Sequence, residues 1–185
     1  MLKNNKIISS IFILFGLVFI LIASCLVWQR NISRRLVFNT SRTNNQKVIN
    51  NDKNQPKGII IKDLQISLPL IPSKFENGIW ESTNKGVSYL LSSPIPGEKG
   101  NSILYGHNWP NLLGNLTKAK KGQIISIKFE NGRQTDFFIE NIIVVAPDQT
   151  QILSPSANPK LTLYTCTGFL DNKRFVVTAI PKKSL

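Results

Sequence analysis

The chain has 185 residues, enough for one domain with a sizeable core once an N-terminal appendage is set aside. Its net charge of +13 is divided unevenly: residues 1–57 hold nine Lys or Arg against one acid, +8, and residues 58–185 hold fourteen against nine, +5. Basic charge beside a membrane attracts anionic lipid or wall polymer, and there is neither zinc-finger spacing nor a basic recognition helix, so composition argues against a nucleic-acid partner.

A short basic segment, residues 1–6, precedes IISSIFILFGLVFILIASCLVW, residues 7–28, which run 22 positions without a charge. At about 1.5 Å per residue that length spans a hydrocarbon layer of roughly 30 Å, so a single transmembrane helix is predicted, acting as a signal anchor. A cleaved signal peptide is the competing reading, but its apolar region is usually only about 7–15 residues long. Ile22 to Cys25 loosely resembles a lipobox, yet Leu26, Val27 and Trp28 continue the apolar run, so Cys25 reads as an ordinary membrane residue.

Residues 29–57 are rich in Asn, Gln and basic side chains and lack sustained periodicity, which predicts a flexible basic tether with a reach of about 30 Å. Arg30, Arg34, Arg35 and Arg42 follow the span, whereas Lys3 and Lys6 precede it. That bias alone would turn the following domain toward the cytoplasm, although long domains can translocate despite flanking charge.

From residue 58 the pattern is that of short strands bounded by Gly and Pro. Ile59 to Ile61 and the alternating Leu64, Ile66, Leu68 precede prolines at 69 and 72, and further runs cover Val87 to Leu91 and Ser102 to Tyr105. The clearest hairpin pairs residues 123–130 with 133–146 about Asn131 and Gly132, a pair suited to a type I′ turn. Residues 161–166 and 174–180 complete the set, and Asn111 to Lys121 is the one later stretch that can coil. The fold class expected is all-β, a sandwich or barrel, with closure removing exposed edges.

His107, the only histidine, follows the 102–105 strand, and Cys166 ends the strand LTLYTC. Arg174 opens RFVVTA after a short loop, so antiparallel pairing of the last two strands would bring Arg174 close to Cys166. Alone, each has a plain reading: a buried Cys is usually an inert small hydrophobe, a His is hydrogen-bonded, an Arg is solvated. Together they suit acyl transfer, in which a thiolate attacks a carbonyl, an imidazolium protonates the leaving amine and a guanidinium stabilises the oxyanion. With unperturbed pKa values of about 8.5 and 6.5, the thiolate–imidazolium form is only about 1% of the singly protonated dyad, and a nearby Arg174 would raise that share.

Thr162, Leu163, Tyr164, Thr165 and Cys166 match the TLxTC motif of sortases, membrane-anchored cysteine transpeptidases of bacterial surfaces, and the chain resembles that family over about residues 58–181. Gly106 and His107 resemble its GH motif, Leu113 to Gly122 its following helical segment, and Arg174 to Ala179 its RFxVxA strand; the D and E classes stand nearest. The resemblance implies a closed eight-stranded β-barrel over residues 58–185, with Cys166 as nucleophile, His107 as general acid and base, and Arg174 stabilising the oxyanion or positioning substrate. It implies an LPXTG-like C-terminal sorting signal on secreted proteins as substrate, a thioester intermediate, and an amine of a peptidoglycan precursor or pilin as acceptor. It also places the domain outside the cytoplasmic membrane. No metal or other cofactor is expected, because the domain's nine acids are scattered through the sequence. Two other readings stand beside it: an acyl-transferase of the L,D-transpeptidase type, whose His and Gly before the Cys are here replaced by Tyr164 and Thr165, and a tethered β-barrel binding module without catalysis.

Overall fold

The apolar run near the N-terminus forms one helix, α1 (Leu2–Arg30), in the computed structural model, which describes residues 2–30, 36, 38, 54–76 and 79–182. Within it, Ser10–Val27 has a mean hydropathy of 2.9 and none of its residues is buried. Apolar side chains cover this stretch all round, so no single face is set aside for a core. By length and composition the helix can cross a membrane. It forms one compact unit, and the chain that follows forms another.

Among the described residues the second unit has ten strands: β1 (Pro56–Ile61), β2 (Ile66–Ser73), β3 (Phe75–Glu76), β4 (Ile79–Trp80), β5 (Val87–Leu90), β6 (Asn101–Gly106), β7 (Ile124–Phe129), β8 (Gln134–Val145), β9 (Lys160–Thr167) and β10 (Lys173–Pro181). Eight close into a barrel in the order β1-β2-β5-β6-β9-β10-β8-β7, and β7 pairs back onto β1. The pairs β2/β5 and β6/β9 are parallel and the other six are antiparallel, while β3 and β4 form a separate short ribbon. The closed eight-stranded barrel expected from the sequence is thus present, and the stretch from 111 to 121 contains a 3-10 turn at Gly114–Lys118.

Three local details differ from the sequence reading. Leu64 belongs to a 3-10 turn, Lys62–Leu64, not to a strand. β2 runs through both prolines because it changes partner midway: residues 66–69 pair with β1 and residues 70–73 with β5. A half-strand with one neighbour leaves alternate N–H groups outside the ladder, which is where proline fits. The hairpin does not use a type I′ turn, since Gly132 has φ +83° while Asn131 stays at negative φ. Gly132 N donates to Phe129 O at 3.1 Å and Phe129 N to Arg133 O at 2.9 Å, closing a three-residue loop with Gly132 in the left-handed position. Asn131 Oδ1 accepts from Arg133 N at 3.0 Å, a side-chain contact that favours this longer loop.

Side chains alternate between two apolar clusters across the barrel wall. Leu104, Leu161, Leu163, Val177 and Ala179 point into the barrel interior with Ile59, Ile125, Ile127 and Phe137. Their neighbours Ile103, Tyr105, Tyr164, Cys166 and Val176 form a second cluster on the outer face with Trp80, Leu90 and Val145. Leu36 and Phe38, from the segment expected to be a tether, are fully buried in this second cluster. Residues 29 and 30 of that segment end α1, and 31–35, 37 and 39–53 lie outside the described residues. Six consecutive positions of β9, Leu161 to Cys166, are buried on both faces, which explains why LTLYTC reads as a continuous run with little polar alternation.

Candidate active site

The barrel order sets the site. β9 lies between β6 and β10, so the end of β9 that carries Cys166 has a neighbour on each side. On one side Cys166 is the direct cross-strand partner of Arg174. On the other, Gly106 pairs with Thr165, which brings His107, one residue further along, level with Cys166. Side-chain alternation puts Tyr105 and His107, Tyr164 and Cys166, and Val176 and Arg174 on the same outer face. The structure therefore brings the three sequence-predicted site residues together, with His107 and Arg174 on opposite flanks of Cys166.

All three are sheltered: His107 is 7% exposed, Cys166 3% and Arg174 3%. Thr165 Oγ1 donates to Gly106 O at 2.7 Å, tying the end of β9 to the residue before His107. The Arg174 guanidinium is held by Nη1 donating to Asp171 O and Lys173 O, each at 3.0 Å. A guanidinium carries five N–H donors in a planar fork, a geometry suited to a carbonyl oxygen. The β9–β10 loop that aims it contains Leu170 and Asp171 at φ +52° and +61°, left-handed conformations unusual for residues with side chains. Phe169 in the same loop is 82% exposed.

Several contacts of the site carry no sequence signal. Trp109 stacks on the His107 ring with centroids 4.4 Å apart, and Ser82 Oγ lies 3.4 Å from His107 Nε2. Phe38 meets Tyr164 edge-on at 5.0 Å and stands over Arg174, 5.9 Å from its guanidinium carbon. Beneath Cys166, Tyr105 and Tyr164 stack at 5.5 Å. A tryptophan two residues after a lone histidine was the only hint available in the sequence; Ser82 and Phe38 reach the site from distant segments.

Burial pushes the His107 pKa below its ordinary value, and the nearby Asp171 carboxylate opposes that shift. The imidazole is therefore mostly neutral at pH 7, ready to accept a proton. Burial also pushes Tyr105 up to about 12 and Tyr164 well above the usual phenol range, so neither competes as a base. A thiol, a neutral imidazole and a guanidinium in this order can carry nucleophilic attack, proton transfer and oxyanion stabilisation. Among the described residues no group of three or more His, Cys, Asp or Glu is placed to hold a metal ion.

Residues 59–182 match the sequence family described as Sortase domain. Solved structures with similar folds include Streptococcus agalactiae sortase C1 in complex with MTSET, 25% identical over 70% of this chain and 68% of that chain, with a TM-score of 0.60. Sortase C-1 from Actinomyces oris is 22% identical over 88% of this chain and 96% of that one, TM-score 0.63. A Clostridium perfringens sortase D5 transpeptidase is 22% identical over 70% and 79%, TM-score 0.59. The last two likenesses show the fold alone. A comparison with curated proteins gave no match. The family match spans about two thirds of the sequence and coincides with the barrel and its TLxTC strand end, so the chain belongs to the sortase family and is a cysteine transpeptidase.

Proposed function

We propose that the protein is a membrane-anchored sortase in which Cys166 is the nucleophile, His107 the general acid and base, and Arg174 the donor to the oxyanion. The observation that carries the reading is the register that sets Cys166 opposite Arg174 on one side and level with His107 on the other. The Cys166 thiol gives its proton to the His107 imidazole, and the thiolate so formed attacks the scissile carbonyl of an LPXTG-like C-terminal sorting signal on a secreted protein. The carbonyl oxygen becomes an oxyanion facing Arg174, the C–N bond breaks, and the leaving amine takes the proton of the His107 imidazolium. A thioester on Cys166 and a neutral His107 remain. An amine of a peptidoglycan precursor or pilin then displaces the sulfur.

The apolar span of residues 7–28 holds the enzyme in the cytoplasmic membrane, with residues 58–185 on the outer side where such substrates emerge. In that oxidising compartment, a lone cysteine outside the span suits a reactive thiol. To test the reading, the full chain in detergent micelles is incubated with a library of sorting-signal peptides and Cys166 is inspected by mass spectrometry. An acyl adduct on the native chain and none on C166A is the expected result. No adduct with any peptide would refute the assignment of roles.

A further inference from the structure

His107 must become positively charged in each half of the reaction, yet its surroundings resist that charge. The ring is 7% exposed, and burial disfavours the imidazolium. The charged or titratable groups on the elements around it are Cys166 at the end of β9, Arg174 on β10, Asp171 in the loop between them and Glu81 next to Ser82. Of these, the Asp171 carboxylate favours the charged ring. The contact at Nε2 is with a neutral hydroxyl, Ser82 Oγ at 3.4 Å.

The group that covers the ring is aromatic. Trp109 lies almost parallel to the imidazole, with centroids 4.4 Å apart and planes 13° from coplanar. The loop after β6 is built to hold it there. Pro110 restricts the backbone of the residue before it. Leu112 N and Gly114 N both donate to Trp109 O at 2.9 Å, and Leu113 N donates to His107 O at 3.1 Å. A Cβ at Gly114 would come within 2.7 Å of Trp109 O, so this closure requires glycine. Leu112 and Leu113 are buried and fasten the turn to the barrel. An indole face is the negative side of the ring quadrupole and attracts a cation above it more strongly than Tyr or Phe does. A ring stacked on it is therefore easier to charge than one covered by an aliphatic side chain.

We propose that Trp109 is a positioning residue for the transfer reaction, holding the His107 ring and stabilising the imidazolium that forms when Cys166 gives up its proton. The inference rests on the roles assigned above. The S–H bond breaks as the imidazole N–H forms, and the indole takes no part in that exchange; it steadies the charged ring until the leaving amine takes the proton. A merely covering indole would act with the opposite sign, because removing a cover readmits water to the ring and makes it easier to charge.

His107 is the only histidine, so the untagged full chain in detergent micelles, grown with isotope-labelled histidine, gives one imidazole signal whose titration is followed by NMR. In W109L the midpoint is expected about half a pH unit below that of the native chain, a roughly threefold smaller share of imidazolium at a given pH. W109F, with a smaller and weaker aromatic face, should titrate between the two. Thioester formation on Cys166 with a sorting-signal peptide, read by mass spectrometry, should slow about threefold in W109L and less in W109F. An unchanged midpoint in both variants, or one that rises, overturns the proposal whatever happens to the rate. Thermal melting checks that each variant folds, and W109F carries the comparison if W109L does not. A lowered midpoint in a native-like chain that forms no thioester with any peptide refutes the transfer roles on which the proposal rests, and leaves the stack as a property of the histidine alone.

Discussion

Thr165→Val tests whether the barrel aims the nucleophile through one hydrogen bond. Thr165 is fully buried, and its Oγ1 donates to Gly106 O at 2.7 Å, joining the strand of Cys166 to the residue before His107. Valine keeps the shape and removes the donor. A typical intramolecular hydrogen bond contributes about 0.5–1.5 kcal/mol net, and a buried polar group left unsatisfied costs about 1–3 kcal/mol. The variant should therefore lose about 1–3 kcal/mol, with Tm falling about 3–6 °C per kcal/mol in a domain of this size. The larger effect is expected on rate, because a displacement of about 1 Å between reacting groups can cost about 100-fold. In a time course of thioester formation on the full chain in micelles, T165V should be about 10- to 100-fold slower. T165S, which keeps the hydroxyl, should recover most of the rate. If T165V melts lower but acylates within about twofold of the native chain, the bond merely holds the barrel, and the positioning argument built on the 2.7 Å contact fails.

Arg174→Ala should slow thioester formation about 10²–10³-fold, the usual consequence of removing one oxyanion donor, and R174K should not restore it because an ammonium lacks the planar fork; a native rate in R174K would refute the oxyanion role. His107 titrates below its ordinary value because it is buried, so between its folded pKa and about 6.5 the unfolded chain binds more protons. Its contribution to stability is fully present above about pH 6.5 and is lost as pH falls through that window; Tm measured from pH 7.5 downward should fall less steeply in H107Q than in the native chain. Phe38→Ala removes the ring that stands over Arg174 and abuts Tyr164, and alkylation of Cys166 by iodoacetamide should accelerate. An unchanged alkylation rate would mean that Phe38 does not shield the thiol.

The strands were legible where burial left a pattern. β7 and β8 carry a solvated face and therefore alternate, and β9 is covered on both faces and therefore reads as an unbroken run. The three candidate site residues drew notice because each stands at or beside the end of such a strand, and the motif around Cys166 supplied their order. What was hidden depends on contacts between distant segments or on very short elements. The ribbon of β3 and β4 has only two residues per strand, too few for any period. Ser82 approaches His107 from 25 residues upstream, and Phe38 lies in a polar segment whose composition suggests a tether. The Asn131-Gly132 pair signalled a turn correctly, but the Asn131 contact to Arg133 N favoured a loop one residue longer.

The same alternation that builds the barrel also aims the site. A slip of one residue in the pairing of β10 would turn Arg174 from the outer face toward the interior. An unpaired guanidinium there would lose its hydration with nothing to replace it, while Val177 and Ala179 would be drawn out of the interior cluster. The register that keeps the apolar side chains inside is thus the one that sets Arg174 opposite Cys166. Parallel pairing of β6 does the equivalent for His107, although 59 residues separate it from the cysteine. Because these neighbours lie on opposite edges of β9, one pairing pattern sets His107 and Arg174 on opposite flanks of one sulfur atom.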